Sequence, residues 1–178
     1  MVSSLQPPDS LVQVSGTTYR KFAPYACVTT RELDFIRALA LRGEPHRARI
    51  NLHAGDDSAV HEMLIAMSDR SLSAPHFHRG KSESFHVLAG VMRVGILTHG
   101  GELIDVLELR PDASPFYRMN DDLNHFPVAV THVVLFHETT NGPFEKGKSL
   151  VMDEWAASMT VSGIAELRDC VLAADPSN

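Results

Sequence analysis

The chain has 178 residues, 44% hydrophobic and 21% charged, with a net charge of −6. That length suits one domain with a core able to fold alone. No lysine- or arginine-rich block supplies the footprint of a nucleic-acid binder, and the longest apolar runs fall far short of a membrane span.

The first eight residues, Met1 to Pro8, carry neither a basic start nor an apolar signal core. The two cysteines, Cys27 and Cys170, lie near opposite ends without C-x-x-C spacing. A cytoplasmic protein with reduced, packed thiols is the expectation. Residues 1–28 hold Pro7, Pro8 and Pro24, show no clear periodicity, and read as an arm or a short added strand. Thr29-Thr30-Arg31-Glu32 resembles a capping box, and Leu33, Ile36, Ala40 and Leu41 follow near helical spacing, so a short helix should end near Gly43 and Pro45.

From about Ile50 to Glu138 the texture changes to short apolar runs broken by turn residues. Val87–Ile96, Leu103–Leu109 and Val133–Phe136 read as strands, with His99-Gly100-Gly101 as a hairpin turn. Segment 60–67 fits either a helix or a buried strand. Beyond Trp155, the spacing of Ile164, Leu167, Val171 and Leu172 predicts a C-terminal helix entered near Ser162, followed by a disordered tail from Asp175. Together these elements predict an all-β barrel or double-sheet jelly roll with short flanking helices. The expected division is an arm and helix over 1–46, a metal-binding barrel over 47–156, and a helix and tail over 157–178.

Ala74 to Gly90 carries the chemistry, as H-x-H-x4-E-x6-G. Positions i and i+2 of a strand share one face, so His76 and His78 can aim two imidazoles at one point. A reversal at Gly80 lets Glu83 return a carboxylate there. Imidazoles and a carboxylate suit one divalent transition metal, with Fe, Mn, Ni, Co, Zn and Cu all compatible.

This spacing matches the first motif of the cupin superfamily without a gap. The resemblance implies a cupin-type double-stranded β-helix, with His76, His78 and Glu83 as metal ligands and Gly90 turning the chain between strands. In cupins a further histidine comes from a second motif, roughly P-x-G-x-x-H. Here Asn120 to His125 keeps only His125, which the resemblance makes the fourth ligand; Arg70 stands where the first motif usually begins with glycine. From about Arg47 to Trp155 the chain also resembles the WbuC family of cupin-fold metalloproteins, named for bacterial surface-polysaccharide genes. The shared features are Asn51-Leu52-His53, Pro75 to His78, Glu83 with Val87 to Gly90, and the spacing from His125 through Glu138 to Gly142-Pro143-Phe144. Phe144 replaces a usual tyrosine.

His132 and His137 rival His125 for the fourth position, although His132 belongs to an expected exposed turn. His86 lies three residues after Glu83 and should face away from the site, in hydrogen-bonded packing. His53 and Glu138 are the candidate catalytic acid/base groups, each weighed against a structural role. Lys81 and Arg79 could hold an anionic substrate, or simply be solvated. His61-Glu62-Met63-Leu64-Ile65 begins like the zinc-protease H-E-x-x-H helix, but Ile65 occupies the second histidine position, so that match fails.

The expected function is a mononuclear metalloenzyme of isomerase or dioxygenase type acting on a small molecule. The resemblance adds a lean to sugar or surface-polysaccharide metabolism. The alternative is a metal-dependent binding or sensing module without catalysis. Cupins commonly pair through edge strands or exchanged N-terminal segments, which implies a homodimer.

Overall fold

The computed structural model describes residues 5–120, 122–145 and 147–178, so the expectations for 1–4 and Asp121 lie outside the described residues. Among the described residues, ten strands form two sheets that face each other without closing into a continuous hydrogen-bonded barrel. One sheet combines β1 (Val12–Ser15), β2 (Thr18–Arg20), β3 (Arg47–Asn51), β4 (Val60–Ser68), β10 (Val133–Asn141), β5 (Glu83–Ala89) and β8 (Phe116–Met119). The other holds β7 (Leu103–Leu109), β6 (Met92–Leu97) and β9 (Asn124–Ala129). The expected arm thus adds β1 and β2 to the sheet edge, with β2 parallel to β3.

Period-2 alternation sorts the side chains between faces. Met63, Ile65 and Met67 of β4 join Phe85, Val94 and Phe136 in the core between the sheets. Leu64 and Ala66 point the other way, onto the helix α1 (Thr30–Arg42) through Phe35, Ile36 and Ala40. From Met63 to Met67 both faces of β4 are buried, so this stretch is a continuous apolar run with no visible alternation. This resolves the helix-or-strand ambiguity of segment 60–67 in favour of a strand.

The apolar run Val87–Ile96 is divided at Gly90, which has φ +83°. A Cβ there would sit 2.6 Å from both the Val133 carbonyl oxygen and Thr131 Oγ1. Only glycine combines that left-handed backbone with so close an approach. The final helix α3 (Val161–Ala173) is capped by Thr160, whose Oγ1 accepts from the Gly163 N–H at 3.1 Å. It covers the smaller sheet through Val171, Ile164 and Leu167. A short helix, α2 (Glu154–Ala157), precedes it.

Two expectations fail. The tail is ordered, because Ser177 N–H donates to the Val106 oxygen at 2.9 Å and Asn178 exchanges side-chain bonds with the Glu108 backbone. Cys27 and Cys170 are both exposed and unbridged rather than packed.

The capping box does more than start a helix. Glu32, 1% exposed, accepts from the Thr29 N–H at 2.6 Å, the Thr29 hydroxyl at 2.9 Å and the Ser10 hydroxyl at 2.5 Å, and pairs with Lys21. Burial alone would raise its carboxyl, but these donors prevail and hold it near 2. They also tie the N-terminal segment to the start of α1. A depressed carboxyl contributes its full stability above its unfolded value, and that contribution is lost as pH falls through the folded value. Glu32→Gln is therefore expected to cost roughly 1–2 kcal/mol at neutral pH, allowing for solvent screening around Lys21. Denaturant unfolding of both proteins should show this gap narrowing as pH falls from 4.5 toward 2.

Candidate metal centre

The segment Pro75 to His78 is extended and clamped on both sides. His76 exchanges backbone hydrogen bonds with His125 of β9 (2.9 and 3.3 Å), and Phe77 does so with Val151 (2.9 and 3.0 Å). Alternation then sends His76 and His78 to one side, while Phe77 packs edge-on against the His99 ring at 4.8 Å. The chain turns at Gly80, φ +63°, whose N–H donates to Asp122 Oδ1 at 3.0 Å. Glu83 then opens β5.

Three imidazoles, from His76, His78 and His125, bring ligand nitrogens to within 4.8 Å of one another. Their orientations are set from behind. His78 Nδ1 lies 2.5 Å from the Ser149 carbonyl oxygen, and His76 Nδ1 lies 3.3 Å from that of Ala74. A carbonyl only accepts, so each Nδ1 carries the proton and each Nε2 offers its lone pair forward. His125, 1% exposed, has no hydrogen-bond partner on either ring nitrogen. Its strand is fixed by the fully buried Asn124, whose Nδ2 donates to Asp153 Oδ2 at 2.7 Å.

Glu83 reaches His78 Nε2 at 3.1 Å and His125 Nε2 at 3.0 Å, although it is not one of the three mutually close ligand groups. Neither imidazole nitrogen, nor Glu83 Oε2, is aligned with a partner as a hydrogen bond. Burial and the adjacent His125 hold the His76 imidazole near 3, hence neutral. Burial opposes charge on Glu83, yet His125 and His78 keep its carboxyl well below the usual carboxylate range. For His78 burial is outweighed by Glu83, which raises it. A neutral His76 beside an ionised Glu83 suits a divalent metal ion, which would take the place of a proton between His78 and Glu83. Buried, convergent donors without aligned partners fit such an ion, and three histidines suit several first-row metals.

The centre opens into a cavity of about 450 Å³, within the range of small-molecule sites. Both candidate acid/base residues line it. Glu138, 7% exposed, is pushed up to about 7 by burial and the Glu83 charge, against the pull of Arg47, Arg49 and His78. His53 is buried and stacks on His61 with ring centroids 4.1 Å apart. Its Nδ1 lies 3.1 Å from the Glu62 oxygen, and burial followed by the His61 charge lowers its pKa. Asn51, Lys81 and Phe144 also line the cavity. Lys81 donates to the backbone oxygens of Asn141, at 3.0 Å, and Pro143.

The rival histidines fall outside the centre. His132 pairs with Asp69 at 3.1 Å, and His137 lies 3.7 Å from Glu62. His86 does face away, but it is exposed beside Phe116 rather than packed by hydrogen bonds. Arg79 sits over the Phe77 ring at 5.8 Å.

Arg47, Arg49 and His61 were not expected in the cavity, yet all three line it. The alternation Arg47-Ala48-Arg49-Ile50-Asn51 was a usable signal, but a polar strand face ordinarily reads as solvated. Tyr117 was also missed; its hydroxyl is buried without a hydrogen-bond partner, and burial with the Glu83 charge pushes it up.

Facing sheets with histidines gathered beside an interior cavity define a cupin-fold protein with a candidate metal centre. Solved structures support the fold. Protein SO0799 from Shewanella oneidensis aligns with TM-score 0.52 at 9% identity, over 72% of this chain and 87% of its own. The Cellulomonas parahominis L-ribose isomerase gives 0.51 at 14%, over 63% and 72%. The capsular polysaccharide assembling protein CapF from Staphylococcus aureus gives 0.51 at 12%, over 58% of this chain and only 29% of CapF. A family model described as a domain of unknown function, DUF6016, matches residues 28–109. No curated protein matches. The comparisons return the cupin fold, without the narrower WbuC family. Among the described residues, no helix is long and apolar enough to cross a membrane.

Proposed function

We propose that this protein is a metal-dependent enzyme acting on a small carbonyl compound, with His76, His78, Glu83 and His125 holding one divalent transition metal ion. The observation that carries this reading is the buried carboxyl of Glu138 in the cavity lined by His76 and His78, two of the three convergent imidazoles. A divalent ion in that centre would supply Lewis-acid polarisation of a carbonyl oxygen. Glu138 is the group to move a proton in an α-hydroxy carbonyl compound: its carboxylate takes one from the hydroxyl-bearing carbon and returns it to the former carbonyl carbon, while the hydroxyl proton passes to the former carbonyl oxygen. That transfer is redox-neutral and amounts to an isomerisation. A carboxyl near 7 suits both halves of the exchange. Asn51, His53 and Thr140 of the cavity lining supply polar groups that orient the substrate.

The fold shared with an L-ribose isomerase and with CapF supports sugars and sugar-like carbonyl compounds as the first panel, in keeping with the WbuC resemblance. Solvent-deuterium exchange into such a panel, followed by NMR with protein loaded separately with Fe, Mn, Co, Ni, Cu or Zn, tests the reaction. Exchange is expected with the wild type. Glu138→Gln should lower it by on the order of 10²–10⁴-fold while leaving metal content unchanged. Exchange undiminished in Glu138→Gln would remove that residue from the chemistry. No exchange and no dioxygen consumption across the panel would favour a binding module.

A further inference from the structure

One strand lining the cavity carries two guanidinium groups, half-buried Arg47 and exposed Arg49. Arg47 and Arg49 occupy alternate positions of β3, so both face the cavity while Ala48 and Ile50 pack against α1. Arg47 reaches Glu138 Oε2 only at 3.4 Å, long for a charge-assisted bond, and its buried Nε has no partner. Arg49 Nη1 is 3.8 Å from the Met63 sulfur, and among the described residues no carboxylate lies within ion-pairing distance. Each guanidinium presents a planar fork of N–H donors suited to a carboxylate. The outer wall is apolar, with Phe144, Leu150 and Met152 exposed at the cavity.

We infer that Arg47 and Arg49 form a carboxylate-binding subsite, and that the substrate is a small carbonyl compound carrying a carboxylate. The inference deepens the proposed function and rests on it for the word substrate; the subsite itself rests on the arginines. Glu138 lies 3.4 Å from Arg47 and lines the same cavity as Arg49, His78 and Glu83. A carboxylate anchored on β3 would direct the rest of the molecule past Glu138 toward the histidines. Inorganic phosphate, the other anion that a guanidinium fork matches, serves as the comparison.

Calorimetric titration with hexanoate, hexanamide and inorganic phosphate separates the contributions. It is performed on metal-loaded wild type, chelator-treated wild type, and the Arg47→Gln, Arg49→Gln and Arg49→Lys variants. Hexanoate is expected to bind at least 10-fold more tightly than hexanamide in both wild-type samples. Each glutamine variant should lose about 10-fold or more, and Arg49→Lys should recover part of the loss. Persistence of the preference after chelation assigns it to the arginines even if the metal reading fails. Binding that vanishes on chelation, equals that of the amide, or ignores both glutamine changes would overturn the subsite. Phosphate binding more tightly than hexanoate would overturn the carboxylate assignment. Circular dichroism of each variant identifies any loss that comes from unfolding; in that event Arg49→Lys, with its charge kept, supplies the comparison.

Discussion

Glu83→Gln is expected to weaken metal binding by more than the roughly 10–100-fold that changes behind a metal site usually cause. The side chain is 3% exposed and sits about 3 Å from both His78 and His125. The amide keeps the volume, so the surrounding packing should survive, but it removes the negative charge that favours a cation. It also brings an NH₂ toward nitrogens whose lone pairs should face the ion. Competition against a chromophoric chelator gives the affinity, and circular dichroism verifies the fold. An unchanged affinity would mean that the three histidines hold the ion without the carboxylate.

Gly90→Val should be the most damaging change away from the centre. A β-branched residue at φ +83° is strained, and its Cβ would collide with the Val133 carbonyl oxygen and Thr131 Oγ1 at 2.6 Å. Backbone strain and overpacking each cost about 1–3 kcal/mol, so a loss of about 3 kcal/mol or more is expected. For a domain of this size that lowers Tm by about 6–12 °C. The turn links β5, which presents Glu83, to β6, which pairs with the strand of His125. Metal binding should therefore weaken along with stability. A Tm within a degree or two of wild type would show that the turn can rearrange without cost.

The legibility of this molecule follows from which physical signals survive in one dimension. His76, His78 and Glu83 were readable because strand alternation and a short turn bring near neighbours in sequence to one place. His125 is distant in sequence and was reached only through cupin spacing; the bridge to His76 that positions it is a tertiary contact. The α1 capping box was visible because capping is local. Strand β4 was legible only as a helix or a strand, since burial on both faces from Met63 to Met67 erases alternation. Arg47 and Arg49 were hidden for the converse reason: polar alternation is the same whether the polar face meets solvent or an internal cavity. His61 was set aside when the helical H-e-x-x-H pattern failed, although a strand brings it against His53. The ordered tail depends on bonds to β7 that no property of residues 175–178 announces.

Element analysis of the purified protein, compared with a His76→Ala/His78→Ala double variant after identical reloading and desalting, tests the central claim most directly. The account predicts about one divalent transition metal ion per wild-type chain and a near-complete loss in the double variant. Equal, near-zero metal in both proteins after reloading with Fe, Mn, Ni and Zn would contradict it.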